Sequence, residues 1–153
     1  MFVRLFSLVC LSLGVSTLGT LPALAAGVIE PPTDDERMVR AVDALNAEQY
    51  DVAFRDLLQL VATHDDNADF WNLMGFAARQ TGRMDMSWEA YQRALALDPD
   101  HVQTRNYLGY LYLSLGDAMG AEEQLEKIAM ICESENCDEY IDLEIAIEEF
   151  GEQ

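Results

Sequence analysis

A 34-residue period in the middle of this chain constrains its fold more than any other feature. Asn72, Gly75, Phe76 and Gly82 recur 34 residues later as Asn106, Gly109, Tyr110 and Gly116. Ala53, Ser87 and Ala121 share that spacing, as do Leu57, Tyr91 and Leu125. A fixed period of this length marks a helical solenoid, in which each unit buries its apolar face against its neighbours. Such stacks present curved surfaces and seldom carry catalysis, so the period points first to a binding module.

Residues 1–25 read as a secretory signal rather than as part of the fold. Arg4 precedes an apolar run from Leu5 to Leu18, and Pro22 then introduces Ala23-Leu24-Ala25, a small-x-small pattern that places cleavage after Ala25. A retained membrane anchor is the alternative. However, Gly14 and Gly19 interrupt the run, and a span needs about 20 apolar residues. Cys10 lacks the small upstream residue of a lipidated cysteine. The expected location is the periplasm or the cell exterior, with no membrane insertion after cleavage. Removing 25 of the 153 residues leaves 128, enough for one domain with a modest core. That remainder carries 28 acidic against 8 basic residues. A field of this sign repels nucleic acid and is compatible with a basic protein or peptide, or simply with solubility.

Residues 26–33, with Pro31-Pro32, read as a linker. Thr33-Asp34-Asp35-Glu36 fits a capping box, a hydroxyl three residues before a glutamate. The pattern then predicts first helices at Asp34–Asn46, Ala68–Thr81 and His101–Leu115, and second helices at Tyr50–Thr63, Met84–Leu97 and Ala118–Ile131. Gly82 and Gly116 stand where a first helix must stop, a place for positive φ. Asp117 can cap the helix after it. Asp98-Pro99 closes a unit, because proline disfavours helical geometry in the residue before it.

Trp71-x-x-Met74-Gly75-x-x-Ala78, followed by Ser87-x-x-x-Tyr91-x-x-Ala94 and Pro99, resembles the tetratricopeptide repeat. The next unit is similar through Leu108-Gly109-x-x-Tyr112 and Ala121-x-x-x-Leu125, although Arg105 and Glu133 replace the tryptophan and the proline. The first unit is degenerate: Ala41 replaces the helix glycine and Glu48 the turn glycine. The resemblance implies an all-α, right-handed α-solenoid. Its parts are a degenerate repeat at 34–67, repeats at 68–101 and 102–135, and a capping helix with tail at 136–153. It implies that Gly75 and Gly109 let the two helices of a repeat approach, with small Ala53, Ser87 and Ala121 opposite. Trp71, Tyr91, Tyr112 and Leu125 then fill the space between layers.

The same resemblance assigns a peptide-binding concave face to Asp69, Asn72, Phe76 and Arg79, then to Gln103, Asn106, Tyr110 and Leu113, with Met38, Val42 and Leu45 from the first unit. An amide both donates and accepts, so Asn72 and Asn106 in register can hold an extended backbone, with Phe76 and Tyr110 receiving apolar side chains. A hydrogen bond from each asparagine to a neighbouring helix is the alternative. Some family members clamp a terminal carboxylate with basic residues. The corresponding positions here are Met38, Val42, Leu73, Gln103 and Tyr107, so no clamp is expected. Nothing points to a catalytic residue, a cofactor or a metal. His64 and His101 lack ligand spacing, and Asp65-Asp66-Asn67 lacks the glycine and distal glutamate of a calcium loop.

The sequence therefore reads as a monomeric, non-catalytic adaptor or assembly factor that binds a peptide or helix of an envelope protein. Cys132 and Cys137, with four residues between them, are the cysteines left after signal removal, and export favours a disulfide across that turn. Two alternatives remain at this stage: a thiol–disulfide redox protein using Cys132 and Cys137, and a self-associating structural protein.

Overall fold

The computed structural model describes residues 31–152. The expected signal peptide and most of the linker lie outside the described residues. Seven α-helices and no strand occur among these residues: α1 Asp34–Asn46, α2 Tyr50–Thr63, α3 Ala68–Gln80, α4 Met84–Leu97, α5 Val102–Ser114, α6 Ala118–Cys132 and α7 Asp138–Gly151. Consecutive helices pair as hairpins α1–α2, α3–α4 and α5–α6, each stacked on the next, and α7 packs on both α5 and α6. The fold is thus an all-α repeat stack, as the period predicts.

Local chemistry sets the helix ends. Thr33 and Glu36 form the expected capping box, with Glu36 N donating to Thr33 Oγ1 at 3.3 Å and Thr33 N to Glu36 Oε2 at 2.9 Å. The backbone bond from Thr33, then its hydroxyl, hold the Glu36 carboxyl below its ordinary value. Asp117 caps α6 by accepting from Gly120 N at 2.9 Å. His101, expected inside α5, is instead its N-cap, with Nδ1 accepting from Thr104 N at 3.1 Å. Gly82 and Gly116 take φ of +76° and +81° after α3 and α5. Glu48, in the corresponding turn after α1, is driven to φ +56°, a region that costs a non-glycine residue about 1 kcal/mol.

Packing bears out Ala53, Ser87 and Ala121 as the small residues, all fully buried. Ser87 Oγ also donates to the Gly75 carbonyl at 2.8 Å, tying α4 to α3. A Cβ added at Gly75 would lie 2.5 Å from the Tyr91 ring, so this glycine does seat an aromatic side chain of its own repeat. Gly109 does not behave that way, and the expectation is corrected. The nearest atoms to its missing Cβ belong to Leu143 of α7, at 2.5 Å, and the position that repeats Tyr91 holds the smaller Leu125. Leu143 is completely buried, which is worth about 2 kcal/mol. In the third hairpin the close approach moves to Gly120 on α6, which lies against the Tyr112 ring. Trp71, Tyr112 and Leu125 are half-buried, and Trp71 Nε1 donates to the Asp65 carbonyl at 3.0 Å.

Cys132 and Cys137 form a disulfide across the turn between α6 and α7, with Cα atoms 6.4 Å apart. Glu133 in that turn takes φ +51°. The bond anchors the start of α7 to the end of the last repeat and so fixes where Leu143 enters the stack.

Candidate functional site: the face formed by first helices

The first helices α1, α3 and α5 present one shared face. Val42, Leu45 and Asn46 from α1, Leu73 and Phe76 from α3, and Tyr107 from α5 line a single open groove of about 320 Å³. Its floor is aromatic. The Phe76 ring lies 4.9 Å from that of Tyr107, centroid to centroid, and meets Tyr50 edge-on at 5.8 Å. The Arg79 guanidinium rests 5.8 Å from the Phe76 ring and 5.5 Å from the Tyr110 ring, a cation–π arrangement that aligns these side chains.

The asparagines require a correction. Asn72 is 1% exposed and Asn106 4% exposed, so neither offers its amide to a backbone lying in the groove. Asn72 Nδ2 donates to Gln103 Oε1 at 3.0 Å, and Asn106 Nδ2 to the Glu139 carbonyl at 2.7 Å. Each asparagine therefore ties its helix to the element stacked on it, α5 for Asn72 and α7 for Asn106. That bond offsets the poor helical preference of asparagine and accounts for its repetition.

The other expected residues remain at the face, and Asp69 and Tyr110 are tied to the next layer. Asp69 is exposed and pairs with His101 Nε2 at 3.0 Å. Gln103 is exposed and donates from Nε2 to the Tyr107 hydroxyl at 3.3 Å. Tyr110 donates its hydroxyl to the Asp142 carbonyl at 3.0 Å. Val42 is 37% exposed, while Met38 and Leu45 are half-buried against the core. Burial pushes the Tyr107 phenol above its ordinary value; the Arg79 charge opposes this, and Glu139 and Asp142 reinforce it. Burial also raises Tyr110, followed by the charge of Asp142, with Arg79 again opposing. Both phenols therefore stay neutral at physiological pH, and Tyr110 keeps its proton to donate.

Three groove residues escaped the sequence-based choice of site. Leu73 and Tyr107 entered it only as positions lacking clamp charges, and Asn46 not at all. The residue that follows Asn72 or Asn106 in each first helix, Leu73 or Tyr107, lies one step round the same face. The helical period carried that signal once the face had been chosen.

Comparison with known proteins agrees with this architecture. Sequence profiles described as tetratricopeptide repeat match residues 68–101 and 90–123. Protein FlbA of Caulobacter vibrioides is 32% identical over 76 residues, which are 50% of this chain and 13% of that protein. MamA from Desulfovibrio magneticus RS-1 superposes with a TM-score of 0.65 at 24% identity, over 71% of this chain and 61% of that one. PcrH, solved in complex with the chaperone binding region of PopD, gives a TM-score of 0.68 at 14% identity, over 80% of this chain and 96% of that one. At these identities the likeness to MamA and PcrH is one of fold. The chain spans about an eighth of FlbA and about three fifths of the MamA chain.

Proposed function

We propose that this chain, which belongs to the tetratricopeptide repeat family, is a non-catalytic interaction module that holds a segment of a partner protein against its first-helix face. The observation that carries this reading is the open groove of Val42, Leu45, Leu73, Phe76 and Tyr107, whose aromatic floor is fixed by Arg79. Apolar side chains left in a groove of this kind gain by burying a partner's anchors, and a few such contacts dominate the affinity. PcrH, a protein of similar fold, was solved with a binding region of another protein, which supports segment binding as a use of this architecture.

We further propose that the protein acts as an adaptor or assembly factor outside the cytoplasm. Residues 1–25 would act as a cleaved signal and the Cys132–Cys137 disulfide as a structural staple suited to an oxidising compartment. No helix among the described residues is long and apolar enough to cross a membrane.

Photo-crosslinkers placed one at a time at Val42 and Tyr107 should capture a protein partner in the native envelope. The same probe at Leu58 or Gln92, exposed on second helices, should not. Equal capture from both sets, or adducts only from the second helices, would sink the groove. Intact mass of the exported protein should begin at Ala26 and show no free thiol without reductant. An uncleaved or cytosolic product would remove the envelope assignment.

A further inference from the structure

We infer that the binding face continues beyond the third hairpin onto α7, and that the segment it takes is a cationic amphipathic one; this rests on the first-helix face being the binding surface. The argument begins with register. Phe76 of α3 stacks on Tyr107 of α5, and Tyr110, which repeats Phe76, donates to the Asp142 carbonyl of α7. Asp142 thus stands to α5 as Tyr107 stands to α3, a shift of 35 residues along the chain. Moving Asn106 and Tyr110 by the same 35 residues gives Ile141 and Ile145. Both side chains are open, at 39% and 48% exposure, whereas Leu143, on the opposite side of the helix, is fully buried. α7 is therefore built as the first helix of a fourth layer, with Ile145 at the position that Phe76 and Tyr110 hold on the face and Ile141, at the asparagine position, open beside it.

Charge selects the occupant. After Lys127 the sequence has no basic residue and nine acidic ones. Asp138, Asp142 and Glu148 share the exposed face of α7 with the isoleucines. A second copy would bring like charges together there, which is unfavourable. A segment with apolar side chains on one stripe and Lys or Arg beside it would bury the isoleucines and meet the carboxylates. Four neighbouring first helices at about 10 Å spacing extend for about 30 Å, the length of a helix of about 20 residues.

The test uses the full chain and two synthetic peptides of about 20 residues, an amphipathic leucine–lysine helix and its leucine–glutamate counterpart, with binding followed by fluorescence anisotropy. The lysine peptide should bind and the glutamate peptide should not. Ile141→Ser with Ile145→Ser should weaken binding about tenfold, with an unchanged circular dichroism melt because both residues are exposed. Asp142→Asn with Glu148→Gln should weaken it several-fold more than Asp85→Asn with Glu89→Gln, which removes the same charge from exposed positions on α4. Equal losses from the two charge pairs would mean attraction by overall charge alone and would overturn the proposal, as would an indifferent isoleucine variant. A wild-type dimer in sedimentation that Ile141→Ser with Ile145→Ser dissolves would also overturn it, by making a second copy the occupant. Phe76→Ser separates the two readings. If it weakens binding while the α7 variants do not, the groove stands and its extension falls; if neither matters, both fall.

Discussion

The second and third hairpins carry the same glycine at the same repeat position and use it differently. Gly75 on α3 receives Tyr91 from its own partner helix α4, a rigid ring fully buried between the layers. Gly109 on α5 receives Leu143 from α7, an element outside the hairpin. The asparagines diverge in parallel: Asn72 reaches a side chain, Gln103, while Asn106 reaches the backbone carbonyl of Glu139. A repeat motif thus states where a close approach is needed, and the neighbour available at that point decides what approaches. The second hairpin is closed by its own residues. The third is completed by the helix that follows it.

If the third hairpin depends on α7, the largest effect should come from removing what α7 inserts. Leu143→Ala is expected to cost about 2–4 kcal/mol in urea unfolding, since it empties a fully buried site; a loss below about 1 kcal/mol would mean α7 is an ornament. Overpacking the two glycines should then separate them. Gly75→Ala pushes on a rigid ring and should cost about 3 kcal/mol, whereas Gly109→Ala pushes on a leucine tip that can rotate and should cost about 1 kcal/mol. Combining Gly109→Ala with Leu143→Ala should cost less than the sum of the two, and no such relief is expected between Gly75→Ala and Leu143→Ala.

Loss of the staple comes next. Cys137→Ser should destabilise by about 2 kcal/mol by the loop-entropy argument for so short a loop, and protection from hydrogen exchange should fall in α7 before it falls in α3 or α4. Uniform loss across the stack would contradict the special dependence of the third hairpin on its cap.

The buried phenol of the second hairpin supplies a pH test. Burial raises the Tyr91 phenol well above its ordinary value, partly opposed by the Arg79 charge. A group raised in the folded state contributes stability that is fully present below its unfolded value and is lost as pH rises through the folded one. Stability should therefore decline above about pH 10, where the unfolded phenol ionises and the folded one does not. Tyr91→Phe, which removes a buried hydroxyl that makes no well-formed hydrogen bond, should change stability at neutral pH by under about 1 kcal/mol and flatten the alkaline decline. An unchanged alkaline slope would reassign it to other groups.

The smallest effect lies in the first hairpin, where the turn glycine is missing. Glu48→Gly should stabilise by about 0.5 kcal/mol, because relief of the left-handed strain is partly offset by glycine's freedom in the unfolded chain. A loss of stability would show that the Glu48 side chain contributes contacts outweighing that strain.

Most of the fold was legible because its signals are local or strictly periodic. The capping box at Thr33 and the glycines at 82 and 116 follow from chain geometry within one or two turns of helix, while the small residues at 53, 87 and 121 recur with the 34-residue period and take their role from the family resemblance. The binding face was legible only in outline. Asn72 and Asn106 stood out by type and spacing, yet a residue's position on a face does not say whether the next layer will cover it, and here that layer buries both. Leu73 and Tyr107 carried no unusual chemistry, and only their place one step round the chosen face marks them. Ile141 and Ile145 were hidden for another reason: the turn bridged by Cys132 and Cys137 breaks the 34-residue count, and α7 read alone is an acidic amphipathic cap.

The amino-acid sequence by itself determined that this protein is a stack of helical hairpins, where the six repeat helices begin and end to within a residue, and which recurring positions are small. Those outcomes depend on backbone preferences and on a period that any chain with these residues must satisfy. Tertiary structure alone decided which side chain fills each gap and which polar groups are spent inside. It also decided that α7 packs on α5 and α6 with Ile141 and Ile145 left open. The physical reason is that burial and hydrogen bonding between layers depend on what another part of the chain brings to within a few ångströms, and spacing along one helix does not encode that.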